Sequence, residues 1–120
     1  MRLHNIKEIL NAEVLACEDS LNVEISAVKA SDLMSDVLTM TDSGALLLTG
    51  LTNVQAVRTV EVAELSAIVF VRGKKPDKET VELAKRKNIP LLATQLPMYE
   101  SCGLLFQNGL SGVSQSSKKP

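Results

Sequence analysis

Ala45-Leu46-Leu47-Leu48, Ala67-Ile68-Val69-Phe70-Val71 and Leu91-Leu92-Ala93 are the three segments that decide how this chain folds. Each is short and apolar without alternation, the pattern of a strand covered on both faces. Helical patterns separate them, so the half from Ser43 to Gly109 reads strand, helix, strand, helix, strand, helix. That order predicts a single α/β domain, a largely parallel sheet with helices on both faces. Parallel strands deliver the loops that follow them to one sheet edge, where such folds bind ligands.

The flanking sequence extends the same scheme. Leu3, Ile6, Ile9 and Leu10 fall at helical spacing and predict a short amphipathic helix. Glu13 to Cys17 reads as a strand, and Val23 to Ala30 as a second strand with one wet face. Ser31 or Asp32 is placed to cap a helix whose stripe is Leu33, Met34, Val37 and Leu38, with Asp42-Ser43-Gly44 breaking it. Ala56, Val57, Val60 and Ala63 share one face of a helix that begins near Asn53.

Lys75 to Asn88 carries the full set of helix signals. Pro76 suits the first turn, Asp77 and Glu79 the positive end, and Lys85, Arg86 and Lys87 the negative end. Asn88 closes it in the left-handed conformation. A last helix opens at Pro97, turns Tyr99, Cys102, Leu105 and Phe106 inward, and closes at Asn108-Gly109. Residues 1–110 are therefore expected to form the domain. Ser111 to Pro120, rich in serine and lysine, is expected to be a disordered tail that adds nothing to stability.

Composition narrows the function classes. A chain of 120 residues, 45% hydrophobic, is one domain with a genuine core. No apolar run approaches the roughly 20 residues of a membrane helix, and Met1 to Glu8 lacks the apolar stretch of a secretory signal. Cys17 and Cys102 show no pairing pattern, so a reduced cytoplasmic protein is expected. Net charge is −1, and only Phe70, Tyr99 and Phe106 are aromatic, two of them at positions expected in the core. Nucleic acid binding, which needs a basic track and stacking surfaces, is not expected. A high apolar share with few aromatics to fill a deep core points instead to self-association, as a homodimer.

The searches for chemistry return little. Neither the G-x-x-x-x-G-K-[ST] loop nor G-x-G-x-x-G occurs. The single histidine, His4, has no partner at metal-ligand spacing, and no metal or cofactor is implied. Cys17 and Cys102 sit in apolar stripes as small hydrophobes, and a redox role would require their sulfurs to meet. Asp32 with Asp36, and Glu61 with Glu64, are acidic pairs at helical spacing that cap or solvate as readily as they catalyse.

The strand-end loops remain. Thr49, Gly50, Thr52 and Asn53 follow the first buried strand, Arg72, Gly73 and Lys74 the second, and Thr94 the third. Hydroxyls, an amide, glycines and cations at one edge could hold a nucleotide or another anion. The same residues could equally be ordinary polar loop, with Gly50 and Gly73 merely turning the chain.

The stretch from Val28 through Leu110 resembles the DRTGG domain family. The similar features are Ser31-Asp32-Leu33-Met34-Ser35-Asp36-Val37-Leu38, the strand entering Thr49-Gly50, and Ala67-Ile68-Val69-Phe70-Val71-Arg72-Gly73. Pro76-Asp77-Lys78-Glu79-Thr80 and Ile89-Pro90-Leu91-Leu92-Ala93-Thr94 continue the likeness. Many members carry Gly-Asp-Arg where this chain has Gly50-Leu51-Thr52, and Thr-Gly-Gly where it has Val71-Arg72-Gly73, so no role of that acidic-basic pair carries over. The resemblance implies the fold of the N-terminal domains of HPr kinase/phosphorylase and Mur ligases. It also implies a non-catalytic regulatory or assembly role exerted through a protein partner. In these departures the chain looks more like the short stand-alone members of the family, often found in anaerobes near iron-only hydrogenase genes.

Overall fold

The computed structural model describes residues 1–39 and 43–113. Its strands are β1 (Glu13–Ala16), β2 (Val28–Ala30), β3 (Leu46–Thr49), β4 (Ala67–Phe70) and β5 (Leu91–Ala93). Its helices are α1 (Leu3–Ile9), α2 (Met34–Val37), α3 (Val54–Ala63), α4 (Lys78–Lys87) and α5 (Met98–Gln107). The five strands form one sheet in the order β1-β5-β4-β3-β2. β2 to β5 are parallel, as the apolar runs predict, and β1 closes the far edge antiparallel to β5.

Alternation along the strands builds two cores. Leu47, Ile68, Phe70 and Leu91 face one way, against Met34 and Val37 of α2, Val57 and Val60 of α3, and Leu83 and Ala84 of α4. Leu46, Leu48, Val69 and Leu92 face the other way, against Leu3 and Ile6 of α1 and Leu105 of α5. The strand sequence β2, β3, β4, β5 advances in one direction across the sheet, so the three crossover helices share one face. Among the described residues, the helices on the other face are the seven-residue α1 and α5, joined there by Ile25 and Leu110.

Several sequence expectations need correction. The second strand is shorter than Val23 to Ala30, because Val23 to Ile25 pairs with the chain's start instead. Leu3 N–H donates to the Val23 carbonyl at 3.0 Å, and Ile25 N–H to that of Met1 at 2.7 Å. The α2 stripe is half right: Met34 and Val37 are buried, whereas Leu33 and Leu38 are exposed, since α2 is a single turn. α4 begins at Lys78, two residues after Pro76, because Asp77 is its cap.

α5 is rotated from its expected phase. Ser101 and Leu105 are buried and Met98 and Cys102 half-buried, while Tyr99 is 85% exposed and Phe106 66% exposed. The helix carries two apolar stripes, and the one without aromatics packs on the sheet. Phe70 is thus the one aromatic side chain in the core.

The expected tail also starts too early. Val28 N–H donates to the Ser111 carbonyl at 2.9 Å, Gly112 bridges Val28 in parallel, and Val113 is buried in the core on the side of the crossover helices. An apolar valine after a glycine turns back to the sheet edge and packs. Residues 114–120, and the break expected at Asp42, lie outside the described residues.

The C-terminal cap of α4 follows the sequence, and Asp77, expected only as a charge at the positive end, is its N-cap. Asp77 accepts from Thr80 Oγ1 at 2.7 Å and from Thr80 N–H at 2.9 Å, and Asn88 closes the helix at φ 58°. The Thr80 hydroxyl, and then its amide, hold the Asp77 carboxyl below its ordinary pKa. A depressed carboxylate pKa stabilises the fold above the unfolded value and loses that contribution as pH falls through the folded one. Urea titrations from neutral to strongly acidic pH should show this loss, and Asp77→Asn should flatten that part of the profile. An unchanged profile would remove the cap from the account.

Candidate functional site

All four parallel strands end at one edge, and the structure brings their loops together there. Hydrogen bonds between neighbouring loops close the edge. Val71 N–H donates to the Thr49 carbonyl at 3.0 Å, and Thr94 N–H to that of Phe70 at 2.9 Å. β4 leads to α4 on one face and β5 to α5 on the other. Such a divergence is where parallel sheets open a binding crevice. Here it is stitched shut: Arg72 N–H donates to the Leu96 carbonyl and Gly73 N–H to the Thr94 carbonyl, both at 2.8 Å.

Those two bonds require an unusual backbone. Arg72 has φ +62° and Gly73 φ +69°, so a side-chain-bearing residue sits in the left-handed region next to a glycine. Left-handed backbone at a residue other than glycine, asparagine or aspartate is uncommon and carries strain. Its effect is to lay the Arg72 side chain across the neighbouring loop. A Cβ added at Gly50 would lie 2.5 Å from Arg72 Nη2, so glycine there makes room for the guanidinium. Gly73 is covered in the same way by Gln95, whose Oε1 would lie 2.6 Å from an added Cβ.

The space beneath Arg72 is already occupied by a carboxylate of the chain. Asp32 Oδ1 accepts from Gly50 N–H at 2.6 Å and from Thr49 Oγ1 at 3.1 Å. Thr49 is fully buried, and its hydroxyl also accepts from Leu51 N–H at 3.1 Å. Asp32 therefore does not cap α2. It fills the donor cradle that an anion would use; Ser31 Oγ accepts the Leu33 amide at 3.0 Å, and α2 starts without a side-chain cap. Reading Asp32 as a local cap missed this. The available signal was an acidic residue directly after a strand whose neighbour ends in Thr-Gly.

The eight sequence-predicted residues divide accordingly. Thr49, Gly50 and Arg72 cluster with Asp32. Gly73 and Thr94 meet at the next loop, but Thr94 Oγ1 donates to the Leu10 carbonyl at 2.7 Å and so ties α1 to β5. Asn53 caps α3, accepting from Gln55 N–H at 3.0 Å. Thr52 is half-buried and Lys74 exposed, and no described contact joins either to the cluster. Lys75 of the same loop pairs with Glu13 at 3.0 Å.

Two cavities stand out, and none of the eight residues lines either. One, of about 620 Å³, lies between α5 and β2. The other, of about 590 Å³, lies at the opposite edge of the sheet among Asp19, Glu61, Lys87 and Asn88. Cys17 packs on the α3/α4 side and Cys102 on the α1/α5 side, so the sheet separates their sulfurs. Burial pushes both thiols up, with Lys85 opposing the shift at Cys17. His4 sits at the start of α1, away from the Leu10 end that meets the loops.

With this geometry in place, the comparisons are specific. The DRTGG domain model matches residues 5–107. The chain belongs to the DRTGG domain family. Seven solved chains match. One is a crystal structure of the CBS and DRTGG domains of the regulatory region of Clostridium perfringens pyrophosphatase, complexed with its activator diadenosine tetraphosphate. It shares 21% identity over 88% of this chain with a TM-score of 0.71, which confirms the fold. The present DRTGG chain spans 46% of that structure. No curated protein matches. Among the described residues of this DRTGG domain, no helix is long and apolar enough to cross a membrane.

Proposed function

We propose that this DRTGG domain is a non-catalytic, homo-oligomeric regulatory or assembly module that acts through a protein partner. The observation that carries this reading is the closed strand-end edge. Asp32 satisfies Gly50 and Thr49, backbone bonds seal the β4–β5 divergence, and the apolar side chains Tyr99 and Phe106 face solvent elsewhere. The partner of this proposal is a redox-linked protein of a reduced cytoplasm, a reading supported by the resemblance to short members near iron-only hydrogenase genes. The pyrophosphatase relative, whose DRTGG domain lies in a regulatory region, supports the regulatory part of the reading.

The test of the non-catalytic claim is a screen against generic phosphate and ester substrates, with and without divalent metal. No turnover should survive repurification. Turnover that persists and disappears in Asp32→Asn or Arg72→Ala would overturn the proposal.

A second reading, a small-ligand sensor, is favoured by one observation. The Arg72 guanidinium lies against Gly50 with no carboxylate in ion-pair distance among the described residues. A nucleotide or other anion would bind there only by displacing Asp32, with Thr49, Gly50 and Arg72 as its contacts. Diadenosine tetraphosphate is the first probe, given the pyrophosphatase complex. A ligand that binds only the folded state raises its melting temperature. On the leading reading, adenine and uridine nucleotides at millimolar concentration leave the melting temperature unchanged. A rise that Arg72→Ala abolishes would favour the sensor.

A further inference from the structure

We infer that the polar cleft beneath the starts of β4 and β5 binds a small organic cation, an alkyl diamine or polyamine whose ammonium groups meet the rim and whose methylenes lie on the floor. The cleft is at the edge of the sheet opposite the strand-end loops, and the inference holds under either reading of those loops. Its volume is about 590 Å³, and its walls are the last turns of α3 and α4 and the segment that follows β1.

The polar side chains of the cleft are unengaged. Asp19, Ser20, Asn22, Ser66 and Asn88 line it, and none of these side chains makes a hydrogen bond or ion pair with a described residue. The strand-end edge is the reverse, since Asp32, Asn53 and Thr94 are each committed there to the chain's own groups. Free hydrogen-bonding groups over an apolar floor are the general form of a small-molecule site. Leu65 and Ile89, 6% and 7% exposed, supply that floor together with the buried Pro90. Cys17 and Glu64, just ahead of two of the walls, hold left-handed backbone at φ 59° and 60°. Strain of this kind clusters at ligand sites.

Two features fix the sign of the ligand. Asp19 and Glu61 face the cleft against one cation, Lys87, and Glu61 already engages that lysine at 3.1 Å, so the uncommitted charge is the Asp19 carboxylate. α3 and α4 both end here, and helix C-termini carry partial negative charge that favours cations. An anion would meet Asp19 and both helix ends. A metal ion is a poorer match, because among the described residues no three His, Cys, Asp or Glu side chains gather to hold one. An alkyl chain between ammonium groups uses the floor as well as the rim.

The experiment is a titration of the full chain with 1,4-diaminobutane and with spermidine, followed by two-dimensional NMR and by thermal unfolding. The amides of Ser20, Ser66 and Asn88 should shift saturably at millimolar amine, Gly50 should not move, and the melting temperature should rise. Asp19→Asn should weaken binding about 5-fold, the upper range for an exposed ion pair. Asp19 is exposed and unpaired, so the circular dichroism of the variant should be that of the wild type. Glu8→Gln removes the same charge from the exposed face of α1, away from the cleft, and should bind as the wild type does. Added sodium chloride should weaken the interaction.

The uncharged 1,4-butanediol, of the same length, should move none of these amides, and neither should inorganic phosphate. No saturable shift at millimolar amine would overturn the inference. So would binding that Asp19→Asn leaves intact, that Glu8→Gln weakens equally, or that butanediol, phosphate or magnesium reproduces. None of these outcomes touches the non-catalytic claim, which the substrate screen tests separately.

Discussion

Ending the chain at Leu110 is expected to lower the unfolding free energy by about 2–4 kcal/mol, whereas ending it at Val113 should change little. The shorter chain loses Val113, which is 5% exposed in the core on the side of the crossover helices, and the Ser111 carbonyl that accepts the Val28 amide. Full burial of a valine contributes about 1.5–3 kcal/mol and a satisfied backbone bond about 1 kcal/mol. For a domain of this size the melting temperature should fall on the order of 10 °C. Thermal and urea unfolding of the two truncations would check it. Equal stability of the two would mean that the 111–113 segment does not pack.

Asp32→Ala is expected to destabilise the domain by about 1.5–3 kcal/mol, a large effect for an exposed side chain. The carboxylate serves two donors, the Gly50 amide at 2.6 Å and the buried Thr49 hydroxyl at 3.1 Å. Truncation leaves both unpaired beneath Arg72, in a space shaped for an anion. Acetate or inorganic phosphate should therefore restore part of the lost stability in the variant and none in the wild type. Asp32→Asn keeps an acceptor and should fall between the two. A neutral Asp32→Ala, or a variant indifferent to anions, would show that the carboxylate does not hold the edge closed.

Asp32 also marks the limit of what the chain discloses before it folds. The unbroken apolar runs at Leu46, Ile68 and Leu91 give the parallel sheet directly, because period and burial are local properties of sequence. The left-handed close of α4 at Asn88 is legible for the same reason. Asp32 is different: its partners are seventeen and eighteen residues away. Only the register of β2 on β3 brings them together, so a local rule assigns it to the adjacent helix.

The phase of α5 fails for another reason. Tyr99 and Phe106 are more hydrophobic than Ser101, and a rule that buries the most apolar stripe turns the helix the wrong way. Helix geometry puts Met98, Ser101, Cys102 and Leu105 on the sheet. The aromatic stripe is left outside, where a partner rather than the core can use it. The candidate ligand residues fall between these cases. Sequence places their loops at one edge correctly. It cannot show that Thr94 serves Leu10, that Asn53 serves α3, or that Thr49 is already engaged by Asp32.

The closed edge is the central claim, and the Gly50 amide reports on it directly. Two-dimensional NMR of the folded chain, titrated with diadenosine tetraphosphate and separately with inorganic phosphate, follows that resonance together with Leu51 and Arg72. The account predicts no saturable shift in any of the three at millimolar ligand, because the Asp32 carboxylate holds the donor. A saturable shift centred on Gly50 and Arg72 would contradict it and make the edge a ligand site.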